Sequence, residues 1–562
     1  MTARPSASDP AAASRRQRLA WVGVVTALAA LHLFELVQTA WLSDDAYITF
    51  RVVRNLLDGF GPRFNLAERV QVYTHPLWML ALAAANGLSG EPYFSTLALS
   101  IVLSLASVVL LGLALPRNAA GAALVLAIAV SSRSLVDYGT SGLENPLAHL
   151  LLVSFLAVAF RPEPSDRRAL VLVLLASAVM IDRMDQVLLV GPVLLVELAR
   201  PVSRVRLGAF AIGLLPFLGW ELFSLVYYGF PFPNTAYAKL GSGIGGAALA
   251  RQGGWYLLDL VRGDPVTAVA IVAGACAGLV RGNRVSRGVS VGVILYLAYI
   301  VKIGGDFMSG RFFTGPLVVA LALLGRLELG SMRARAVAAG GLAVLLASSP
   351  VHPWTSGMAY GLDTINRVWP HGIADERAVY YPYTGLLRAE AEGSPSRITH
   401  PWVDAALRAR KAGGSVVVFG NVGLFGYFAG PEVHCIDQPA LADPLLARLP
   451  AAPAASWRIG HFNRAVPEGY VETLTSGANV IRDPGIHAYY DELRSIVRDP
   501  VFDPARLMRV VRMNLGRYDT LLRPGSSSVS SRAEREPLVS AGRGGDPVGE
   551  PLLGKERELP AP

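Results

Sequence analysis

Arg15-Arg16-Gln17-Arg18 stands directly before an apolar run from about Leu19 to Leu42, and Ser43-Asp44-Asp45 stands directly after it. A cleavable leader carries an apolar stretch of only about 7–15 residues. This run is longer, so it reads as a retained first helix. Basic residues collect on the cytoplasmic side of a membrane. The arginines therefore hold the start of the helix inside, and the aspartate pair emerges on the outer face.

The rest of the chain agrees with a membrane setting. Of 562 residues, 52% are hydrophobic and only 17% charged, with a mean hydropathy of +0.41. Soluble domains carry about 25% charged residues, so an ordinary cytosolic enzyme and a disordered regulator are both excluded. The net charge of +9 reads first as membrane topology. No basic stripe interleaved with aromatics points to nucleic acid. Cys276 and Cys435 lie in different kinds of sequence, and their spacing matches neither a disulfide framework nor a metal-ligand set.

Further apolar spans follow at about 93–115, 119–134, 143–160, 168–181, 186–199, 207–228, 265–280, 288–303, 312–326 and 335–349. Basic clusters at Arg117, Arg161 with Arg167 and Arg168, Arg200 to Arg206, Arg281 to Arg287, and Arg326 to Arg335 all fall inside if about eleven helices cross. Pro76–Gly87 must then lie along the outer surface. The expected fold class is a polytopic α-helical membrane protein with a C-terminal mixed α/β extracytoplasmic domain. Residues 1–18 read as a disordered cytoplasmic N-terminus and 19–349 as the transmembrane domain, with its first outer loop at 43–92. Residues 229–264 read as another outer loop. Residues 350–522 read as the extracytoplasmic domain, and the Ser-, Gly- and Pro-rich stretch 523–562 as a disordered tail. Ser415-Val-Val-Val-Phe419 reads as a buried strand, and Gly420, Gly423, Gly426 and Gly430 read as turns.

Two adjacent carboxylates at a membrane edge are costly unless solvated, paired or used. Asp44-Asp45 is therefore either a solvated helix end or a general base or cation ligand at the outer interface. The following stretch to Leu57 carries Tyr47, Phe50, Val53, Leu56 and Leu57 at helical spacing, which predicts an amphipathic helix. Arg51 and Arg54 on it are available to an anionic head group.

With Gly59, Gly61, Phe64-Asn65, Glu68-Arg69-Val70, Tyr73-Thr74 and Pro76-Leu77-Trp78, this region resembles the first outer loop of a GT-C glycosyltransferase. More narrowly it is similar to the actinobacterial terminal β-(1→2)-arabinofuranosyltransferase family. Pro233-Asn234-Thr235-Ala236-Tyr237-Ala238-Lys239, Gly304-Gly305-Asp306-Phe307-Met308-Ser309-Gly310-Arg311-Phe312 and Cys435-Ile436-Asp437 with Leu441-Ala442-Asp443 resemble later segments of that family. The resemblance implies the GT-C architecture in a bacterial plasma membrane. It also implies a polyprenyl-phosphate sugar donor, decaprenylphosphoryl-arabinose, and a cell-envelope polysaccharide acceptor. By motif position Asp44, with Asp45 beside it, is the base or the anchor of a divalent cation.

Such a donor leaves its phosphate at the interface, where cations must meet it. Lys239 and Arg311 are the leading candidates, although Arg311 could pair with Asp306 and Lys239 could snorkel. Glu144 starts a span on the outer side, either as an acidic partner or as a helix-start residue. Asp182 and Asp185 flank Arg183 in a tight link, as a self-paired turn or a sugar contact. His75 and Trp78 lie in the same loop and could contact sugar, with a packed role for His75 ahead of metal binding. Transfer of another sugar, a protein acceptor, and a non-catalytic membrane scaffold for envelope or motility assemblies remain alternatives. A transporter would gather its charges near the mid-membrane, and these sit at helix ends.

Overall fold

The computed structural model describes residues 10–163, 165–200, 203–362, 368, 371–391, 398–451 and 457–522. The expected tail at 523–562 and residues 1–9 lie outside them. The remainder of the stretch read as a disordered N-terminus is helical, because the first helix begins at Pro10.

The helices in chain order are α1 (Pro10–Thr39), α2 (Asp44–Leu57), α3 (Pro76–Ser89), α4 (Pro92–Ala114), α5 (Ala119–Ser131), α6 (Arg133–Asp137), α7 (Asn145–Ala159) and α8 (Asp166–Asp182). Next come α9 (Val187–Leu198), α10 (Arg204–Tyr227), α11 (Asn234–Leu240), α12 (Gly246–Gly263), α13 (Pro265–Arg281), α14 (Arg284–Ile303), α15 (Thr314–Leu324) and α16 (Met332–Ser348). Each expected apolar span coincides with a helix. By length and composition, α1, α4, α10 and α14 are long enough to cross a membrane, and α12 with α13 makes a fifth if that bent pair is one span. The other spans form helices of only 11–17 residues, so helix length does not by itself give eleven crossings.

The segment 229–264 departs from the expected outer loop. It holds α11 and the 18-residue α12, which bends by 109° into α13. Asp264 makes the corner: Oδ1 accepts the Thr267 N–H at 3.0 Å, and Oδ2 accepts the Ser134 N–H at 2.8 Å. One carboxylate thus caps α13 and ties the corner to α6.

The later part holds α17 (Glu376–Thr384), α18 (Leu386–Ala391), α19 (Pro401–Ala412), β1 (Val416–Phe419), α20 (Val422–Ala429), β2 (His434–Asp437), α21 (Tyr470–Ser476), α22 (Pro484–Arg498) and α23 (Pro504–Asn514). Strands β1 and β2 pair in parallel, with Val416 opposite His434 and Phe419 opposite Asp437. The crossover between them is α20.

Two apolar cores result. One fills the helical bundle around α5, α7, α13, α14 and α15. The other joins Ala40–Leu42, α2, α3 and the start of α4 to the residues after 380. The first loop and the C-terminal part therefore share one core. Arg51 fastens them together. Its guanidinium donates to the carbonyls of Phe64 (2.8 Å), Gly426 (2.7 Å) and Val433 (2.7 Å) and reaches the sulfur of Cys435 at 3.2 Å. It also lies 4.3 Å over the Phe64 ring.

Gly423 and Gly426 do not mark turns; they lie inside α20. A Cβ at Gly423 would strike the Asp44 carbonyl, and one at Gly426 would meet the Phe64 ring at 2.6 Å. Gly423 lets α20 approach α2, and Gly426 leaves room for the Phe64 ring.

Arg51→Met should lower thermal stability in detergent by several kcal/mol, since each orphaned buried carbonyl costs on the order of 1–3 kcal/mol. Arg54 is exposed and meets Asp58 at 3.6 Å, so Arg54→Ala should cost less than about 1 kcal/mol. Equal losses in the two variants would contradict this account of the interface.

Candidate functional site

A cavity of about 940 Å³ opens between the bundle and the C-terminal part. Its polar lining includes Asp45, Thr49, His75, Arg183, Asp185, Lys239, Lys302, Asp306 and Arg311. Its apolar lining comes from helices α8, α9, α10, α12 and α14, with Met180, Leu188, Trp220, Leu249 and Ala298 among the residues. Cations, carboxylates and a greasy wall thus face one space.

The aspartate pair is split. Asp44 turns away from the cavity, and its carboxylate accepts the N–H groups of Gly423 (3.2 Å) and Leu424 (2.7 Å) at the start of α20. Burial pushes the Asp44 carboxyl up to about 7, against the pull of those two donors. Asp45 lines the cavity. Burial also raises the Asp45 carboxyl, while Arg311 and then Lys239 pull it back. The two carboxylates diverge, Asp44 toward α20 and Asp45 toward the cavity. Among the described residues, no group of three His, Cys, Asp or Glu converges as metal ligands.

Beneath the cavity the charges are organised by Glu144, which is fully buried. Oε1 accepts from Arg183 at 2.6 Å and from Arg311 at 3.1 Å. Oε2 lies 3.1 Å from Nδ1 of His75. Arg183 also meets both oxygens of Asp185, at 2.8 and 2.6 Å, and Tyr296 donates to Asp185 at 2.8 Å. Arg311 is 3.7 Å from Asp306, whose other oxygen accepts the Phe307 N–H. The turn that aims these two requires Gly305, at φ +76°, where a Cβ would meet the Tyr256 side chain at 2.6 Å.

Of the residues singled out by sequence, Asp45, His75, Asp185, Lys239, Asp306 and Arg311 face the cavity. Glu144 stands directly behind Arg183 and Arg311. Asp182 is buried at the end of α8, outside the lining. Trp78 is buried and donates to the Gly142 carbonyl at 3.0 Å, so it packs the loop and does not face sugar. Arg51 is consumed by the interface described above, and Arg54 lies on the surface; neither reaches the cavity.

The sequence reading missed Lys302 and Thr49 as lining residues, while Arg183, placed in a link read as a self-paired turn or a sugar contact, both pairs with Asp185 and lines the cavity. Lys302 carried a signal: it is the basic residue in the last turn of α14, just before Gly304-Gly305-Asp306. Among the described residues no ion pair holds Lys239 or Lys302, whereas Arg183 and Arg311 share Glu144.

The loop motifs also meet in space. Asn234 donates to the carbonyls of Ala440, Leu441 and Asp443 at 3.0–3.1 Å, and its own N–H reaches the Gln71 carbonyl at 2.8 Å. Asp437 accepts the N–H groups of Ala442 and Asp443. The 440–443 turn so fixed carries Leu441 into the lining.

The fold resembles that of a solved bacterial membrane protein. A crystal structure of ArnT from Cupriavidus metallidurans, bound to undecaprenyl phosphate, superposes with a TM-score of 0.50 at 15% identity, covering 74% of this chain and 86% of that one. The chain resembles the terminal β-(1→2)-arabinofuranosyltransferases. That of Mycobacterium tuberculosis is 29% identical over 571 residues, covering 84% of this chain and 88% of the relative. That of Corynebacterium glutamicum is 29% identical over 333 residues, covering 50% of this chain and 47% of the relative. No family model matches.

Glu144→Gln removes the one carboxylate that two buried guanidiniums and an imidazole share. Breaking such a cluster should cost on the order of 3–5 kcal/mol, read as a large drop in melting temperature without ligand. A variant as stable as wild type would show that other groups carry the compensation.

Proposed function

We propose that the protein transfers a sugar, arabinofuranose in the first instance, from a polyprenyl-phosphate donor to a cell-envelope glycan at the outer face of a bacterial plasma membrane. The observation that carries this reading is the cavity itself. It sets one half-buried carboxylate in the same space as two lysines that no ion pair holds among the described residues, and continues into an apolar wall. The relatives' names supply the sugar and its linkage. The undecaprenyl phosphate held by ArnT supplies the lipid class.

Each residue then has a role that follows from its chemistry. The lipid tail lies along the apolar residues of α8, α9, α10 and α14. Lys239 and Lys302 meet the phosphate, because their charge is not already committed to a carboxylate. Arg311 adds positive potential from behind, reduced by its bonds to Glu144. As the bond from anomeric carbon to phosphate oxygen breaks, negative charge grows on the leaving phosphate, and fixed cations lower that barrier. Asp45 accepts the proton of the incoming acceptor hydroxyl. Its raised affinity for protons makes it a better base than a solvated aspartate.

Binding is tested by thermal stability against a panel of polyprenyl-phosphate sugars, since a ligand that binds only the folded state must raise it. Wild type should be stabilised by one donor, and Lys239→Ala should lose most of that shift. No shift with any donor, in folded protein, would overturn the reading and favour a scaffold.

The base assignment has its own test. Asp45→Asn should lower kcat by about 10²–10⁴-fold while leaving the donor-induced shift intact. Asp44→Asn should act mainly on stability. The opposite order of effects would return the base to Asp44. Asp45 works as an anion, so kcat/KM should fall as pH drops through its raised pKa. That acid limb should lie above the ordinary aspartate value of about 3.9. A limb at or below that value would count against Asp45.

A further inference from the structure

Helix α12 meets α13 at a corner of 109°, so its axis runs nearly perpendicular to the helix that follows. Gly253 of α12 packs on the backbone of Val301, where a Cβ would clash. Val301 belongs to the last turn of the 20-residue α14. Twenty residues of helix rise about 30 Å, which is about the thickness of the hydrocarbon core. A helix set across the end of α14 therefore stands where that core gives way to headgroups.

The sides of α12 are unlike one another. Gln252, Gly253, Tyr256 and Leu260 are buried. Trp255 stacks on the His371 ring at 3.8 Å, and Gln252 donates to the His371 carbonyl at 2.8 Å, which fastens one edge to the later part of the chain. The other edge is apolar: Val261 is 55% exposed, as are Val269 (46%) and Val272 (60%) near the start of α13. Arg251 and Arg262 run between the two edges. Both are exposed. Eleven residues make close to three helical turns, so the two arginines lie on one line of the helix. Neither lines the cavity, and among the described residues no ion pair holds either of them.

We propose that α12 lies in the headgroup layer of the membrane and that Arg251 and Arg262 hold the phosphates of anionic phospholipids. Cations along the border between an apolar and a polar edge are how an interfacial helix meets anionic lipid. A guanidinium is weakly hydrated and takes a phosphate through two parallel hydrogen bonds. The two arginines are roughly 16 Å apart along the axis, so each takes its own headgroup. This surface is separate from the cavity and does not depend on which sugar, if any, is transferred. The opposite side of α12 supplies Leu249 and Ala250 to the cavity wall, so lipid held on the outer side braces that wall.

The first test uses the wild-type chain in nanodiscs containing phosphatidylglycerol with a diazirine near the start of one acyl chain. Peptide mapping after illumination should place adducts in residues 251–262 of α12 as well as in 269–272 of α13. Adducts in α13 with none in α12 would overturn the proposal.

The second test titrates full-length protein in neutral detergent with short-chain phosphatidylglycerol and follows the melting temperature, which a ligand of the folded state must raise. In the double variant Arg251→Gln, Arg262→Gln the half-saturating concentration should rise about thirtyfold, about fivefold for each arginine. Its lipid-free melting temperature should match wild type, because neither side chain is packed. An unchanged midpoint would overturn the proposal. A rise with inorganic phosphate equal to that with the lipid, and lost in the same variant, would mark a site for free anions and would also overturn it.

Discussion

A carboxylate wholly removed from water must be matched by positive charge or hydrogen-bond donors, and Glu144 is matched from three directions. Arg183 arrives from the end of α8, Arg311 from the turn after α14, and His75 from the residue before α3. These segments are far apart in sequence. The shared charge is what makes them converge. It also leaves the arginines partly neutralised toward the cavity. The lysines, which have no such partner among the described residues, then carry the stronger field into it.

Part of this arrangement was readable from the chain alone. The apolar spans, the amphipathic helix at Asp44–Leu57, the strand at 416–419 and the acidic and basic residues at helix ends all followed from periodicity and from the cost of charge near a membrane. What sequence could not supply was rotation. Arg51 looked like a phosphate ligand because it lies on an amphipathic helix, but its side of that helix is covered by α20. Trp78 looked like a sugar platform because it is aromatic and lies in a loop, but its indole is turned inward to Gly142.

Other errors had a different origin. Gly423 and Gly426 signalled turns because glycine is scarce inside helices. Their real constraint is the Asp44 backbone for Gly423 and the Phe64 ring for Gly426, which no local rule can see. The stretch 229–264 read as a loop because α12 is too polar to register as a span, yet α12 packs against α14 and supplies lining residues. Thr49 carried no signal at all. A threonine on a mixed helix acquires meaning only when His75, 26 positions later, is placed against it.

The geometry of α2 explains why the C-terminal part belongs to the site although it contributes few lining residues. Successive side chains on a helix are rotated by about 100°, and here that rotation sets Asp44 against α20 and Asp45 in the cavity. Asp44, Tyr47 and Arg51 share one side of α2. Asp44 and Arg51 are bonded to the backbone of α20, and Tyr47 packs on the rings of Tyr427 and Phe428 at 5.6 and 6.0 Å. Asp45, Ile48 and Thr49 share the other side and line the cavity. Three contacts on one side leave the helix no freedom to turn about its axis. The residues that point into the cavity are therefore aimed by the residues that do not, and the pairing of α2 with α20 is what converts an ordinary interfacial helix into one wall of the cavity.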